Sequence, residues 1–208
     1  VLANLNPGLL NNKIIATTIK GIIPYENMIV GRYLYEVLGV PEQQIVVITG
    51  PCHAEEIALE RLSFLTVATR EEKVAKMMVD CLECHYVRCI WSADLYGTEY
   101  AAVLKNIYAI AAGIYHGLGY GDNFQAVLMS NSVREMKRFM NAVSDTKVNI
   151  YKSAYLGDLL VTGYSQFSRN RMLGNMLGKG YTVRSARAEM TMVAEGYYAC
   201  LLYTSPSP

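Results

Sequence analysis

The sequence predicts an α/β domain followed by an all-helical domain. Short, apolar, β-branched runs alternate with helix-compatible segments in the first part of the chain, and long helical patterns separated by glycines follow after about Trp91. Hydrophobic residues make up 52% of the 208 residues and charged residues only 18%, a composition that excludes a disordered chain. The length suffices for one large domain or two small ones with a proper core.

The α/β part rests on three predicted buried strands, at residues 13–19, 44–49 and 62–69. Each is a short apolar run rich in β-branched residues, and the first two end at a glycine. Between them, residues 28–38 and 54–59 have helix-compatible spacing. Near-continuous apolar strands that alternate with helices indicate a sheet covered on both faces.

The second part contains four predicted helices, at residues 99–115, 122–143, 156–161 and 170–177. Asp122 is a candidate cap for the second, and Gly178 and Gly180 end the fourth. The boundary is predicted near residues 92–97, which gives domains at 1–94 and 95–199. The Pro- and Ser-rich residues 200–208 resemble a translated sequencing adapter and are predicted to be a non-native or disordered tail.

Charge and cysteine content restrict the partners and the compartment. Nineteen basic and eighteen acidic residues leave a formal charge of +1, so no overall field attracts nucleic acid or anionic lipid. No apolar run reaches about 18 residues, and a membrane span is not expected. Five cysteines are a poor disulfide framework, which predicts a cytoplasmic location. Because the chain starts without Met or a signal sequence, we expect a fragment from the interior of a larger protein.

A Cys-x-x-Cys-His sequence at 81–85 matches the c-type haem attachment signature, and the nearby Cys89 adds a potential metal ligand. Within residues 74–89, Val74, Met77, Met78, Cys81 and Cys84 follow helical spacing, which favours ordinary core thiols. His53 and His116 are isolated, so no second ligand pair completes a zinc site. We expect no metal, and a haem or metal carrier stays as an alternative.

Three further features carry potential chemistry. Lys105 interrupts an apolar helix; such a lysine either reaches the surface or lies desolvated in a cleft, where its neutral form could act as a general base. Asp158 and Arg169 flank a turn rich in Thr, Ser and Gly, and an arginine can bind phosphate through two parallel hydrogen bonds. The turn at 50–54 leads from a strand into a helix and could present N–H groups to an anion.

Seven short motifs follow one another along the chain: TIKG at 18–21, GPCHA at 50–54, LKN at 104–106, AIAAG at 109–113, GLGYGDN at 117–123, LGDLLVT at 156–162 and SRNR at 168–171. This ordered series resembles the bacterial NAD(P)-dependent glycerol-3-phosphate dehydrogenases. The resemblance runs from about residue 1 to 199. It departs from the family at Cys52, where the family has Ser, Thr or Asn, and in lacking the amino-terminal GxGxxG strand and helix and the carboxy-terminal end.

The resemblance implies the C-terminal part of a Rossmann-type nucleotide-binding domain, followed by a helical substrate domain like that of 6-phosphogluconate dehydrogenase. It implies hydride transfer between NADH or NADPH and dihydroxyacetone phosphate, giving sn-glycerol 3-phosphate for phospholipid synthesis. A small phosphorylated molecule is then the substrate, and a homodimer is the expected assembly.

The resemblance also implies roles for individual residues. Lys105 would be the proton donor and acceptor at the C2 oxygen, with Asp158 and Lys20 beside it as further catalytic residues. The residues implied in substrate binding are Lys20, Gly50, Cys52, Lys105, Asp158, Ser168, Arg169 and Asn170. Those implied in cofactor binding are Lys20, Ala54, Arg169, Val193 and Glu195. Thr162 is expected to lie beside these residues.

Two alternatives accompany this interpretation. A chain without the glycine-rich strand could be a catalytically inactive helical module that only folds or dimerises. A related dehydrogenase with the same two-domain architecture could act on another hydroxy acid, although a phosphate partner for Arg169 would argue against that. The 208-residue chain on its own is expected to be inactive.

Overall fold

The computed structural model describes residues 6–144 and 148–204. Four strands form one mixed sheet: β1 (Ile15–Thr17), β4 (Ile45–Thr49), β5 (Ser63–Ala68) and β6 (Val87–Ser92), in the order β1-β4-β5-β6. β1 and β4 are parallel, β4 and β5 antiparallel, and β5 and β6 parallel. The short strands β2 (Ile22–Ile23) and β3 (Met28–Ile29) pair in a separate hairpin. The predicted α/β part is confirmed.

Helices cover both faces of this sheet. They are α1 (Val30–Glu36) on one face and α3 (Glu72–Leu82) on the other. The same part contains the short helix α2 (Ala54–Ala58), which buries no residue, and a 3₁₀ turn at Glu42–Gln44 before β4. Successive residues of β4 point to opposite faces: Ile45 and Val47 join the core beneath α1, whereas Val46 packs with Val67 and Ala75 beneath α3. Strands buried on both sides explain the near-continuous apolar runs of the sequence.

The remaining described elements are helical. They are α4 (Leu95–Gly117), α5 (Asp122–Val143), a π-helical turn (Ser153–Gly157), α6 (Asp158–Tyr164), α7 (Arg169–Gly178), α8 (Val183–Glu189) and α9 (Gly196–Thr204). α4 is the central helix, packed against α5, α6, α7 and α9. The core beneath α1 continues onto α4 through Leu95 and Val103, so one apolar core joins the sheet to the helical part. No helix of the described ranges is long and apolar enough to cross a membrane.

α4 and α7 cross with their main chains in contact. A Cβ atom on Gly113 would lie 2.1 Å from the carbonyl oxygen of Arg171, and one on Gly174 would lie 2.0 Å from that of Ile110. Real Cβ atoms do not approach a carbonyl oxygen so closely, so glycine is required at both positions for steric reasons. This glycine crossing brings the start of α7 next to the middle of α4.

Several predicted elements need correction. Residues 87–89 were expected to be helical, but α3 ends at Leu82 and residues 87–92 form β6, because pairing along the whole of β5 outweighs the accidental helical spacing. Met28 and Ile29 belong to β3, so the helix predicted at 28–38 shortens to α1. Asp122 is the first residue of α5, whose N-cap is Gly121, and no side chain caps it.

The prediction of a tail is wrong for residues 200–204. α9 continues through Cys200 to Thr204, and Cys200 packs against the small core of α7 and α8 that contains Leu173 and Ala186. The apolar contacts of Cys200 explain the continuation of the helix beyond residue 199. The last part of the predicted tail, 205–208, lies outside the described residues.

Candidate active site

A cleft of about 300 Å³ opens between the carboxyl end of β4 and the helices α4, α6 and α7. At its floor Lys105 of α4 donates a hydrogen bond to Oδ1 of Asp158, the first residue of α6, over 2.5 Å. Nζ of Lys20, from the loop after β1, lies 3.9 Å from Oδ2 of the same carboxylate. Three elements distant in sequence therefore place two cations around one buried anion.

Burial shapes the chemistry of Lys105. The residue is 5% exposed, and desolvation lowers the pKa of its ammonium group from 10.5 to about 8. The positive charge of Lys20 acts in the same direction, whereas the carboxylate of Asp158 opposes it. A lysine with a pKa near 8 can both give and take a proton near neutral pH.

Hydroxyl groups surround the Asp158 carboxylate. Thr49, the last residue of β4, donates from Oγ1 to Oδ2 over 3.3 Å. Thr162, one turn further along α6, donates to the main-chain oxygen of Asp158 over 2.6 Å and lies 3.5 Å from Oδ1. Asp158 is 1% exposed, so these partners replace the water that a surface carboxylate would have.

The start of α7 forms another wall of the cleft. Ser168 caps this helix, and its hydroxyl accepts a hydrogen bond from the N–H of Arg171. Arg169 is exposed, whereas Asn170 is buried and its Oδ1 accepts from the N–H of Gly196, at the start of α9. The cleft is thus lined on this side by a guanidinium, a hydroxyl and an amide, groups that can bind a phosphate.

Asn106 links two of these walls. Its side-chain amide donates a hydrogen bond to the main-chain oxygen of Lys20 over 3.0 Å. Its main-chain oxygen would lie 2.7 Å from a Cβ atom on Gly196. The close approach holds α9 against α4 directly beside Lys105. Asn106 belongs to the LKN motif at 104–106, although the sequence did not predict it as a site residue.

The turn after β4 forms the opposite wall. Gly50 has φ of +127°, and a Cβ there would lie 2.6 Å from the carbonyl oxygen of Phe64, so the turn requires glycine. Cys52 is half-buried, and burial raises the pKa of its thiol above the usual value. Burial, reinforced by the charge of Lys105, lowers the pKa of His53, whose ring lies 6.3 Å from that of Phe167.

The structure brings almost all predicted site residues into this one cleft. Its walls include Lys20, Cys52, Ala54, Lys105, Ser168, Arg169, Asn170, Val193 and Glu195. Asp158 lies behind the wall, in contact with Lys105 and Lys20. Gly50 does not line the cleft. Its positive φ instead allows the turn that brings Cys52 to the cleft.

Several lining residues were missed by the sequence interpretation: Thr18, Thr49, His53, Asn106 and Phe167. Thr18 and Thr49 lie at the carboxyl ends of the predicted strands 13–19 and 44–49, and side chains at the carboxyl ends of strands in such sheets commonly reach ligands. His53 and Asn106 lie inside motifs that carried the resemblance. Phe167 precedes the Ser-Arg-Asn-Arg motif and has no comparable signal.

The cysteines of residues 81–89 do not line the cleft, and the core-thiol interpretation is wrong. Cys81 is exposed, and Cys84 and Cys89 are half-buried. The apolar side of α3 consists of Val74, Ala75, Met78, Val79 and Leu82, and Cys81 falls outside it. Within residues 6–144 and 148–204, no group of three or more His, Cys, Asp or Glu residues is arranged to hold a metal ion.

Comparison with known proteins identifies the family. The family model "NAD-dependent glycerol-3-phosphate dehydrogenase N-terminus" matches residues 1–75, and the corresponding C-terminus model matches residues 94–204. Glycerol-3-phosphate dehydrogenase (NAD(P)+) of Listeria innocua is 37% identical over 197 residues, covering 94% of this chain and 58% of that protein. That of Staphylococcus carnosus is 36% identical over 200 residues, covering 95% and 60%.

A solved structure agrees. The crystal structure of glycerol-3-phosphate dehydrogenase from Coxiella burnetii superposes with a TM-score of 0.83 at 30% identity, covering 91% of this chain and 59% of that one. The chain therefore spans somewhat less than two thirds of the length of these relatives. The two domain matches, the identities and the shared fold together show that the chain belongs to the NAD-dependent glycerol-3-phosphate dehydrogenase family.

Proposed function

We propose that the full gene product containing this chain transfers a hydride between NADH or NADPH and dihydroxyacetone phosphate, giving sn-glycerol 3-phosphate. The observation that carries the proposal is the buried Lys105–Asp158 pair at the floor of a cleft whose rim holds Arg169. A ketone reduction needs a proton donor at the carbonyl oxygen, and a phosphorylated substrate needs a cationic group at a fixed distance from it. The cleft offers both.

In this proposal Lys105 handles the proton. During reduction its ammonium group donates a proton to the C2 oxygen as the hydride reaches C2, and in the reverse direction the neutral amine takes the proton from the C2 hydroxyl. The overall reaction consumes one NAD(P)H and one proton for each ketone reduced. Asp158 holds Nζ of Lys105 in place over 2.5 Å, and Lys20 adds positive charge near the developing alkoxide.

Arg169, Ser168 and Asn170 would hold the substrate at the other end of the cleft. The guanidinium is exposed and can form two parallel hydrogen bonds with a phosphate, which the hydroxyl and amide supplement. Cys52 on the facing wall would contact the substrate with a weaker hydrogen-bonding group than the Ser, Thr or Asn of the resembling family. This arrangement favours a phosphorylated triose over an unphosphorylated hydroxy acid.

The residues proposed for the cofactor fit its nicotinamide end. Ala54, Val193 and Glu195 line the same cleft as Lys105. The small apolar side chains of Ala54 and Val193 leave room for a flat ring, and the carboxylate of Glu195 is a hydrogen-bond acceptor beside it. A volume of about 300 Å³ lies at the lower end of ligand sites, so these residues would hold part of a dinucleotide. The bound nicotinamide supplies the hydride. Within the proposal, the product serves glycerophospholipid synthesis in the cytoplasm.

The test is a coupled absorbance assay on the full gene product. We expect oxidation of NADH or NADPH at 340 nm that depends on dihydroxyacetone phosphate, with dihydroxyacetone a much weaker substrate. Activity on an unphosphorylated keto acid in place of the triose phosphate would instead support the related hydroxy-acid dehydrogenase. Absence of any activity from a folded, full-length protein would support the inactive module.

A further inference from the structure

Thr49 contacts the candidate catalytic carboxylate from the sheet. It ends β4, and its hydroxyl donates to Oδ2 of Asp158 across 109 residues of sequence. Both residues are 1% exposed. A hydrogen bond between two such buried groups fixes their relative position, because neither can turn to water without opening the core.

The two oxygens of Asp158 have different partners. Oδ1 lies 2.5 Å from Nζ of Lys105, whereas Oδ2 lies 3.9 Å from Nζ of Lys20. The latter distance is that of an ion pair without a hydrogen bond. Among the described residues, Thr49 is therefore the hydrogen-bond donor of Oδ2, and this bond directs Oδ1 toward Lys105.

Thr162 does not duplicate this contact. Its hydroxyl donates to the main-chain oxygen of Asp158 over 2.6 Å, a bond within one turn of α6. It lies at the limit of hydrogen-bond distance, 3.5 Å, from Oδ1, the oxygen that already has Lys105. Rotation of the carboxylate about its own bond is thus restrained from the Oδ2 side by Thr49.

We infer that Thr49 is a positioning residue: its hydroxyl fixes the orientation of the Asp158 carboxylate and, through it, the proton affinity of Lys105. This inference rests on the proposed function for its catalytic consequence. Without the hydroxyl, Oδ2 would be a buried acceptor lacking a hydrogen bond, and the carboxylate would turn toward the half-exposed Lys20. Lys105 would then lose part of the interaction that favours its charged form.

The first test measures the proton affinity of Lys105 directly, without activity. In the 208-residue chain with ¹³C- and ¹⁵N-labelled lysine, the Lys105 resonance is assigned by its loss in Lys105→Met and followed by NMR against pH. Thr49→Val keeps the shape and removes the hydroxyl, so we expect the pKa of Lys105 to fall by about half a unit or more relative to wild type. An unchanged or higher value would overturn the inference.

Matched variants separate the hydroxyl from packing. Thr49→Ser and Thr49→Ala both lose the methyl group, and only Thr49→Ala also loses the hydroxyl, so only Thr49→Ala should lower the pKa of Lys105. This pair keeps the test valid if Thr49→Val does not fold. Thr66→Val is the control, since Thr66 faces Thr49 across the β4–β5 pair, is also buried, and its hydroxyl has no hydrogen-bond partner among the described residues. Thr66→Val should leave the pKa of Lys105 unchanged.

The second test uses the full gene product. If it is an active dehydrogenase, Thr49→Val should lower kcat by roughly 10-fold with little change in the KM for substrate, and Thr49→Ser should restore it. Wild-type turnover by Thr49→Val would overturn the inference and leave the proposed function standing. An inactive wild-type enzyme would count against the proposed function alone, because the NMR titration of Lys105 does not depend on turnover.

Discussion

Nζ of Lys105 and Oδ1 of Asp158 lie 2.5 Å apart, and both side chains are buried. Burial favours the neutral lysine, and the carboxylate favours the charged one. The balance leaves the pKa of Lys105 at about 8, where a small change in either influence alters the charge at neutral pH. The predictions below follow from this balance and from the walls of the cleft.

Replacing Lys105 with Met should lower kcat of the full gene product by roughly 10²- to 10⁴-fold, the loss typical of a general acid–base group. The affinity for nucleotide should change little, because the substitution keeps the apolar stem and removes only the charge. Steady-state kinetics with a fluorescence titration of NADH measure both. Lys137→Met, on the exposed side of α5, is the control. Near-normal turnover would exclude Lys105 as the acid–base group.

The oxidation of glycerol 3-phosphate should depend on pH through Lys105. The lysine must be neutral to take a proton, so kcat/KM should rise as the pH passes through about 8. Asp158→Asn removes the carboxylate that favours the charged form of Lys105. The rise of kcat/KM with pH, the ascending limb of the profile, should therefore move to lower pH, and the overall rate should fall. A pH–rate profile of both proteins tests the shift. Movement of the limb to higher pH would contradict the assigned balance.

Arg169→Lys should weaken the binding of dihydroxyacetone phosphate much more than that of dihydroxyacetone. The substitution keeps the charge but loses the planar group that binds phosphate through two hydrogen bonds. The ratio of kcat/KM for the two substrates provides the measurement, with Arg134→Lys on the exposed face of α5 as the control. An equal loss for both substrates would indicate that Arg169 has a structural role.

Glu99 should make the stability of the chain fall as the pH rises. Its carboxylate accepts from the N–H of Gly31 over 3.0 Å and is fully buried, and burial raises its pKa from 4.5 to about 7. The folded protein therefore holds this proton more tightly than the unfolded chain. The resulting stabilisation is complete below about pH 4.5 and is lost as the pH passes 7, a difference of about 3 kcal/mol.

Urea unfolding of wild type and Glu99→Gln at pH 5 and pH 7.5 tests this dependence. The free energy of unfolding of wild type should decrease more between the two values than that of the variant, which cannot titrate. Glu135→Gln, at an exposed position on α5, should behave like wild type. Identical pH dependence in all three proteins would show that Glu99 is not the titrating group.

The 208-residue chain on its own should bind NADH and NADPH negligibly and show no dehydrogenase activity. The glycines at 117–121 join α4 to α5, so they cannot form the strand-to-helix phosphate turn of a dinucleotide site. Within the described residues β1 is an edge strand, paired only with β4. Fluorescence titration checks this, and micromolar binding of either nucleotide would contradict it.

The sequence correctly predicted the strands that are almost continuously apolar. β4 and β5 lie within one or two residues of their predicted ranges because both are almost continuously apolar. β6 was missed because it is an edge strand with exposed Ile90 and Trp91, and because the helical spacing of the preceding Cys81 and Cys84 favoured a helix over the whole segment. Its assignment depends on pairing with β5, which a local pattern does not contain.

In the candidate site too, the sequence indicated single residues but not the contacts between distant elements. Lys105 stood out as a charged residue inside an apolar run, and Arg169 as part of a distinctive motif. The partnership of Thr49 with Asp158 joins a strand to a helix 109 residues away, and no spacing along the chain indicates it. Sequence patterns therefore identified single reactive groups, and the fold supplied the hydrogen bonds that orient them.

The glycine crossing of α4 and α7 has a consequence for substrate length. Gly113 and Gly174 leave main-chain atoms in direct contact, so no side-chain rotation can change the spacing of the two helices. Lys105 lies two turns before Gly113, and Arg169 lies at the start of α7. The separation of the two main chains is thus fixed, and a substrate longer by one carbon would have to be accommodated by the side chain of the exposed Arg169, because the helices cannot move apart or together.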